Sequence, residues 1–577
     1  MTHLDWFVLA LYFVFLLIVT NAFKRHASNA DGFIKGNGAM TWWMAGATAF
    51  MTQFSAWTFT GAAAKAFEDG LSIMFVFWGN ALGFFVSALF FASRYRRLRV
   101  ATAMDVVRLR FDKLSEQVFT WSSFPITLIG AAIWLNGLGA FLSATFGISI
   151  DVTIVSISLL VTFIALTGGV WTVSATNVIQ LVLLVTITMV VGATAAKHVV
   201  SLPVESLSNT VMGESMHTWQ IFIAWVAIML LKQTLTTNNA LSSYRFLTTS
   251  NEKEASRSAL LAGALFLVAP LLWFAPPWFV ASLNIDLGLS YPELGGGANN
   301  AAYLYYIEHY MPQGLLGLVM VAMLAATVSP MTTALNRNAG IVVNNVYLSL
   351  INPHASSEQQ MRLGKIATVL TGLLACGVAL LFARIEDYGL FDIMMIFSAL
   401  LHMPMSIPSL LAMLNLRTPP WSGWATVLVG ILVSAWMHFV FDVHWLEPFI
   451  GPLNHRESVD MMVVCSLLAH VFVTGGFFLS TALMIKRPYF NHTVSERIHT
   501  PISTQEQTPI DHANGIFMGK AMTALGVIVA LFAVTTDNFA DGTIFVAIGG
   551  AILVCGFALM SMSLRLRKLD SARAAEC

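Results

Sequence analysis

Charged residues are scarce in this chain. Of its 577 residues only 10% are Asp, Glu, Lys or Arg, whereas 57% are hydrophobic and the mean hydropathy is +0.73. Because soluble domains carry about 25% charged residues, this composition excludes a chain built mainly of water-exposed domains. The 30 basic residues balance 30 acidic residues, so no basic surface for nucleic acid is indicated. The sequence is typical of a protein that crosses the membrane many times.

Cysteine is scarce as well. The four cysteines are far apart in the sequence, and three of them lie in apolar runs. This spacing excludes a disulfide framework and a cysteine-rich metal site. The HExxH and G-x-S-x-G motifs of hydrolases are also missing. We therefore expect neither an enzyme nor a bound cofactor.

Long apolar runs dominate the chain instead. A helix that crosses the bilayer needs about 20 mainly apolar residues. Fifteen runs approach this length: 4–22, 41–67, 71–92, 116–141, 151–169, 172–196, 219–240, 258–283, 313–349, 360–384, 389–415, 419–440, 457–486, 521–536 and 541–564. Their continuous apolar character excludes a β-barrel, whose strands alternate. The sequence predicts an all-α polytopic membrane protein with about fifteen transmembrane helices.

Lysine and arginine collect on one side when the N-terminus is placed outside and the fifteen runs cross in turn. The outer side then holds only Lys197, Arg384 and Arg456. Three others fall within apolar runs: Lys65, Lys232 and Arg337. The remaining basic residues lie inside, among them Lys24, Arg25, Lys486 and Arg487. Since basic loops stay on the cytoplasmic side, we expect an N-out, C-in protein of the plasma (inner) membrane.

Two apolar runs carry polar residues in their middle. The second run contains Gln53 and Thr58, and the seventh contains Gln233, Thr236 and Asn239. Irregular backbone at membrane depth is tolerated where it lines a cavity, so both runs predict a broken helix beside a binding site. The alternative is that Thr and Gln join neighbouring helices by hydrogen bonds. The two runs are five crossings apart, which favours a five-plus-five inverted repeat.

The ninth run carries a polar stripe. Ser329, Thr332, Thr333 and Asn336 share one helical face. Pro330 has no N–H, so the carbonyl of Ala326 loses its helical partner. Hydroxyls and a freed carbonyl are ligands for a small hard cation. The alternative is a proline kink in which Ser and Thr bond back to their own helix.

Several short motifs, in this order and spacing, resemble the sodium:solute symporter family, which includes sodium–glucose, sodium–proline and sodium–sialic acid cotransporters. The similarity extends from about residue 4 to about residue 440. The motifs are Trp42-Trp43 with Gly46-Ala47, Arg94 to Leu98 followed by Thr102, Asp105, Arg110 and Phe111, Gly168-Gly169 followed by Thr176 to Gln180, Tyr244 to Leu247 with Asn251 to Ala255, Asn336 followed by Tyr347, and Leu390-Phe391-Asp392.

The resemblance implies an inverted-repeat core with one N-terminal and about four C-terminal extra helices. The expected division is 1–40 (N-terminal helix and inside loop), 41–416 (transport core), 417–486 (two further helices), 487–520 (cytoplasmic loop), and 521–577 (two accessory helices and a basic tail). It also implies a sodium site between the first and eighth core helices. That site takes backbone oxygens of Met51, Phe54 and Ala326, with Ser329 and position 330.

The residues at the two cation sites depart from the family pattern. Family members usually have a hydroxyl at position 330, where this chain has Pro330. A second cation site in some members uses an aspartate, whose place is taken here by Asn177, facing Ser329, Thr332 and Thr333. An amide keeps an oxygen but loses a full charge. We therefore expect at most one tightly bound sodium, and an interhelical hydrogen bond is the alternative role for Asn177.

The sugar-binding pattern of the family is not kept either. Leu235, Thr236, Leu267 and Met395 stand where sugar-contacting residues are expected, which argues against glucose and galactose. The substrate-binding set predicted here is Gln53, Thr58, Lys232, Gln233, Thr236, Asn239 and Met395.

The basic residues within apolar runs are functional candidates because buried charge is costly. We expect Lys65 to reach the outer interface. For Lys232 and Arg337 three interpretations remain: they attract an anionic solute, they replace a coupling ion, or they pair with carbonyls or with Asp392, the nearest acidic candidate.

The leading hypothesis is therefore sodium-coupled symport of a small organic solute, with an anion among the candidates. One alternative is proton-coupled or uncoupled transport, motivated by Pro330, Asn177 and the basic residues within apolar runs. Another is a transporter-like solute sensor.

Overall fold

The computed structural model describes residues 2–23, 40–100, 102–167, 170–200, 219–385, 389–485, 489–503, 512–536 and 538–576. Within these ranges the chain is helical and has no β-strand; an isolated backbone bridge joins Met40 and Thr249. Lys24, Arg25, Lys486, Arg487 and the Gly168-Gly169 motif lie outside the described residues.

The helices are numbered in chain order. They are α1 His3–Phe23, α2 Trp42–Met51, α3 Gly61–Asp69, α4 Met74–Val86, α5 Ala92–Arg97, α6 Ala103–Arg110, α7 Lys113–Phe146, α8 Ile150–Thr167, α9 Val170–Val200, α10 Trp219–Asn238, α11 Tyr244–Leu247, α12 Glu252–Trp273, α13 Ala275–Ser282, α14 Leu287–Ser290, α15 Ala302–Tyr310, α16 Leu315–Gly340, α17 Ser357–Phe382, α18 Leu390–Phe397, α19 Met403–Leu414, α20 Ser422–Phe439, α21 Glu447–Ile450, α22 His455–Ala469, α23 Gly475–Ser480, α24 His492–His499, α25 His512–Leu531 and α26 Phe539–Glu576.

Short 3₁₀ and π-helical segments join several of these helices. The 3₁₀ segments include Ala56–Thr58, Gly70–Ile73 and Ala240–Ser243. The π segments are Ser87–Phe91, Ile341–Ile351, Ser398–His402 and His470–Thr474. The segment Ser398–His402 connects α18 to α19, and its last residue, His402, lines a cavity. Such wide turns are common at functional sites.

Twelve helical stretches of the described chain are long and apolar enough to cross a membrane. Two shorter apolar helices, His3–Val14 and Ile150–Leu166, accompany them. The part of the second predicted run that follows Ser55 and the whole third run give one continuous stretch, Ala56–Arg97, because short helical turns link them. The structure therefore confirms an all-helical, multi-pass protein, while the count of fifteen crossings stays a prediction.

The bundle has two ends: the cavity end, where Met40, Thr248 and Arg337 line a cavity, and the cluster end, where buried charged side chains meet at Asp69. At the cavity end the start of α2 meets the segment after α11, since Met40 donates its N–H to Thr248 O (3.0 Å) and Ser250 donates to Met40 O (3.2 Å). Arg110, 1% exposed, donates there to the carbonyls of Ala412, Asn415 and Thr418. Burial lowers the pKa of Arg110 to about 10, which leaves it charged at neutral pH. Asp69, at the end of α3, marks the cluster end.

The last two helices, α25 and α26, form a close antiparallel hairpin. A side chain added at Gly526 would meet the Leu553 backbone nitrogen at 2.6 Å, and one added at Gly519 would meet the Gly556 carbonyl at 2.7 Å. Glycine is therefore required for the two backbones to approach, as in other small-residue helix pairs in membranes. The hairpin packs against α9.

Candidate functional site

The first predicted break lies between α2 and α3. Helix α2 ends at Met51, Ser55 is extended (φ −155°, ψ 177°), and a 3₁₀ turn follows over Ala56–Thr58. The Ala56 N–H donates to Thr327 Oγ1 on α16 over 2.9 Å. Because the broken backbone is bonded to α16, the geometry holds these two elements together at the centre of the bundle.

The predicted cation ligands lie on either side of this contact. Met51, Phe54 and Ala326 are fully buried, and Ser329 is 2% exposed. The Ser329 hydroxyl donates to Asn177 Oδ1 over 2.5 Å, and Asn177 Nδ2 donates to Thr48 Oγ1 over 3.4 Å. The Asn177 amide thus joins α9 to both α16 and α2.

The other hydroxyls of the α16 stripe behave differently. Thr332 donates to the carbonyls of Val328 (2.7 Å) and Ser329 (3.1 Å), and Thr333 donates to Ser329 O (2.9 Å). These bonds agree with the alternative interpretation, in which Ser and Thr side chains bond to the carbonyls of their own helix. Thr327, which binds the break, lies off the polar stripe, so face spacing gave no reason to select it.

The second predicted break follows α10. The helix ends at Asn238, and Asn239 is extended (φ −72°, ψ 163°). Asn239 Oδ1 accepts from the Ser242 N–H (2.9 Å), while Nδ2 donates to Thr236 O (2.9 Å) and to Ser406 Oγ on α19 (2.9 Å). The Asn239 side chain therefore replaces the missing helical bonds and fixes the break against α19.

Lys232 lies two turns before this break and is 2% exposed. Its ammonium nitrogen is 3.1 Å from Met395 Sδ. Within the described chain no carboxylate comes within 4.0 Å of it, and Asp392 does not pair with it. A thioether is a weak acceptor, so the Lys232 charge is poorly compensated. Lys232 and Met395, chosen from the sequence for different reasons, are in contact.

The remaining predicted substrate residues are divided between the two breaks. Gln233 Oε1 accepts from the Thr236 hydroxyl (3.3 Å), so this pair lies on the last turns of α10, just before Asn239. Gln53 and Thr58 lie on the first break; Thr58 is 1% exposed, and its hydroxyl has no partner in the described part of the chain. No hydrogen bond between described side chains joins the two groups.

Contrary to the expectation that Lys65 reaches the outer interface, its side chain is buried. It is 6% exposed and lies inside an ion cluster. Its Nζ is 2.6 Å from Asp69 Oδ2 and 3.9 Å from Asp392 Oδ1. Arg456, on α22, is 2.8 Å from Asp69 Oδ1 and 3.4 Å from Asp460 Oδ2. The alternative that Asp392 pairs with Lys232 or Arg337 is not found among the described residues, because α3 brings Lys65 to Asp392.

An aromatic contact lies beside the ion cluster. Trp57 stacks on Phe391 (centroids 5.8 Å apart, planes 13°), and its indole N–H donates to Leu390 O over 3.3 Å. The Lys65 ammonium is 5.4 Å from the centre of the Phe391 ring. These contacts and the ion cluster join α3 and α22 to the start of α18.

The cavity that gives the cavity end its name has a volume of about 150 Å³. Its lining includes Arg245, Asn336, Arg337 and His402. The sequence predicts a role for Arg337 from its position in an apolar run. It does not select Arg245 or His402 as site residues, because only the packing of α11, α16 and the π segment Ser398–His402 brings the three together. The Arg337 guanidinium donates to Thr127 Oγ1 over 2.5 Å.

The helical bundle, its two broken helices and its central polar contacts define a membrane transporter. The model of the sodium:solute symporter family matches residues 33–420, and the chain belongs to that family.

Among its relatives, the sodium/sialic acid symporter SiaT of Proteus mirabilis is 23% identical over 81% of this chain and 95% of its own length. A sodium/glucose cotransporter of Vibrio parahaemolyticus is 24% identical over 67% of this chain and 78% of its own length. A solved substrate-bound, outward-open sodium-coupled sialic acid symporter aligns with a TM-score of 0.65 at 21% identity, covering 85% of this chain and 99% of that one. The structural match establishes the fold.

Proposed function

We propose that the protein is a sodium-coupled symporter of a small organic anion in the plasma membrane. The proposal rests on Lys232, a buried ammonium close to a broken helix, whose one hydrogen-bond partner among the described residues is a thioether. An uncompensated charge at membrane depth is costly, and a bound carboxylate would neutralise it. The sialic acid relatives, whose solute is an acid, support this class of solute.

The sodium site proposed here combines the break after α2 with α16. The carbonyls of Met51 and Phe54 belong to irregular backbone, and Pro330 leaves the Ala326 carbonyl without its helical N–H donor. Ser329 donates its hydroxyl proton to Asn177, so the oxygen lone pairs stay free to face a cation. Four oxygens from two elements fit a small hard ion, which prefers oxygen ligands.

We place the cavity end inside and the cluster end outside, with the N-terminus out and the C-terminus in. Trp57, Phe391 and the ion cluster then close the outer side, and the cavity serves the inner side. The core is the five-plus-five repeat 41–416, whose two broken helices bind solute and ion while the core rocks. The segments 417–486 and 521–577 are supporting helices.

A melting experiment tests the coupling ion first. The purified full-length protein is heated in sodium chloride and in matched potassium and choline chloride. A ligand at a hundred times its dissociation constant adds about 2.7 kcal/mol of stability, so we expect a sodium-specific rise. Sodium-driven uptake of sialic acid into liposomes, against neutral N-acetylmannosamine, then tests the solute class. A melting point that follows pH but not sodium would instead favour proton coupling.

Replacing Ser329 by alanine removes one proposed sodium ligand. We expect the sodium concentration for half-maximal uptake to rise about tenfold, since one hydrogen bond or ligand contact is worth roughly 1–2 kcal/mol. Ser466→Ala is the matched control, because Ser466 is also buried and bonds its own helix on α22. If Ser329→Ala shifts the melting temperature but leaves the sodium requirement unchanged, Ser329 is not a ligand.

A further inference from the structure

The inner cavity has an unusual charge pattern. Arg245, Arg337 and His402 line it, whereas no Asp or Glu lines it in the described ranges. The two guanidinium groups are close enough to act on each other electrostatically, and Arg337 and Lys232 both act on His402. His402 therefore lies within electrostatic range of both the central Lys232 and the cavity residue Arg337.

The polar groups of this cavity are incompletely bonded. Asn336 is 6% exposed, and neither atom of its amide has a partner among the described residues. Arg245 is 4% exposed and donates through Nε to Ser242 O (2.9 Å), but its Nη1 has no described acceptor. Arg337 Nε is likewise without one. Buried polar groups are nearly always hydrogen-bonded, so such a set indicates a missing ligand.

The carboxylate of Glu116 contacts Asn345, a residue that lines the cavity. Glu116 accepts from Asn345 Nδ2 over 2.6 Å and lies 3.6 Å from Arg108 Nε. Among the described residues no carboxylate lies within 4.0 Å of a nitrogen atom of Arg245 or Arg337. This differs from the cluster end, where both buried cations have aspartate partners.

We propose that Arg245, Asn336 and Arg337 form a second anion subsite, which holds the carboxylate of the solute after it leaves Lys232 and before its release. The proposal rests on the proposed transport function. Two guanidinium groups and an amide donor match the oxygens of a carboxylate, and charge-assisted hydrogen bonds to it are the strong kind. The subsite lowers the barrier for a charged group leaving the membrane centre.

The test measures solute binding separately on the inner and the outer side of the membrane. Full-length protein is placed in liposomes with sialic acid, and the half-saturating concentration is measured for outward flux and for inward flux. We expect Arg337→Gln to raise the inner value about tenfold and the outer value less than twofold. Arg337→Lys should restore most of the loss. Arg257→Gln is the matched control, because Arg257 is a largely exposed arginine of α12 at the same end.

Three other outcomes would overturn the subsite. Both half-saturating concentrations could rise together, which would place Arg337 in the central site or in general stability. In a second outcome, neither half-saturating concentration changes. In a third, internal sulfate inhibits efflux and Arg337→Gln abolishes this inhibition, while the half-saturating concentrations of sialic acid stay constant. That result would assign the cavity to free inorganic anions. Absence of any sodium-driven uptake by the unmodified protein would instead contradict the proposed function itself.

Discussion

Lys232→Met is expected to weaken binding of the anionic solute by about a hundredfold or more, while the protein stays folded and still responds to sodium. Removing one partner of a desolvated charge pair typically costs about 2–5 kcal/mol of binding. Methionine has a similar length and can pack against Met395, which now contacts the Lys232 ammonium. Solute binding is measured by the shift of the melting temperature and by uptake in liposomes.

Lys365→Met is the matched control, since Lys365 is exposed on α17 and far from both breaks. Without solute, Lys232→Met should melt at or above the temperature of the unmodified protein, because a poorly compensated buried charge is removed. Retained solute affinity in this variant would exclude Lys232 as the anion-binding group and favour a neutral solute.

Asp69→Asn is expected to cause the largest loss of stability in the protein. The Asp69 carboxylate lies between Lys65 Nζ (2.6 Å) and Arg456 Nη1 (2.8 Å) and is 1% exposed. An amide would leave two buried cations facing each other with less compensation. Breaking a buried ion pair costs about 3–5 kcal/mol, measured here as a lower melting temperature and a shorter half-life in detergent.

Glu447→Gln serves as the control at the same end of the bundle. Glu447 pairs with His444 over 2.8 Å, but this pair is exposed, and exposed pairs contribute little to stability. The hydrogen bond with Glu447 raises the pKa of His444, so the pair is strongest in mildly acidic buffer. Equal melting temperatures for Asp69→Asn and the unmodified protein would show that the ion cluster does not hold α3 against α22.

The two broken helices could be predicted from the sequence because the bilayer imposes a strict rule on backbone groups. A polar run such as 233–239 has no place on a lipid-facing helix, and the structure ends α10 at Asn238. The break after Met51 follows from the same rule. The rule fixes where the backbone is irregular, but not which side chains meet across the bundle.

The errors concerned charges, because their partners are distant in the sequence. Lys65 and Asp69 are four residues apart on one helix, so that pair had a local signal. Asp392 and Arg456 come from other helices, and no periodicity shows that they converge on α3. The cavity is a similar case, since its two arginines lie on different helices and only the packing of those helices brings them to one wall.

The amide of Asn177 has an energetic consequence for the transport cycle. An aspartate at this position would favour a second sodium. The Asn177 amide instead forms hydrogen bonds with the hydroxyls of Ser329 and Thr48. Each elementary charge that crosses 100 mV is worth about 2.3 kcal/mol. A cycle that moves one sodium and one monovalent anion carries no net charge, so the membrane voltage does no work on it. Under the proposed coupling of one sodium to one monovalent anion, accumulation of the solute follows the sodium gradient alone, and depolarisation of the cell does not reduce it.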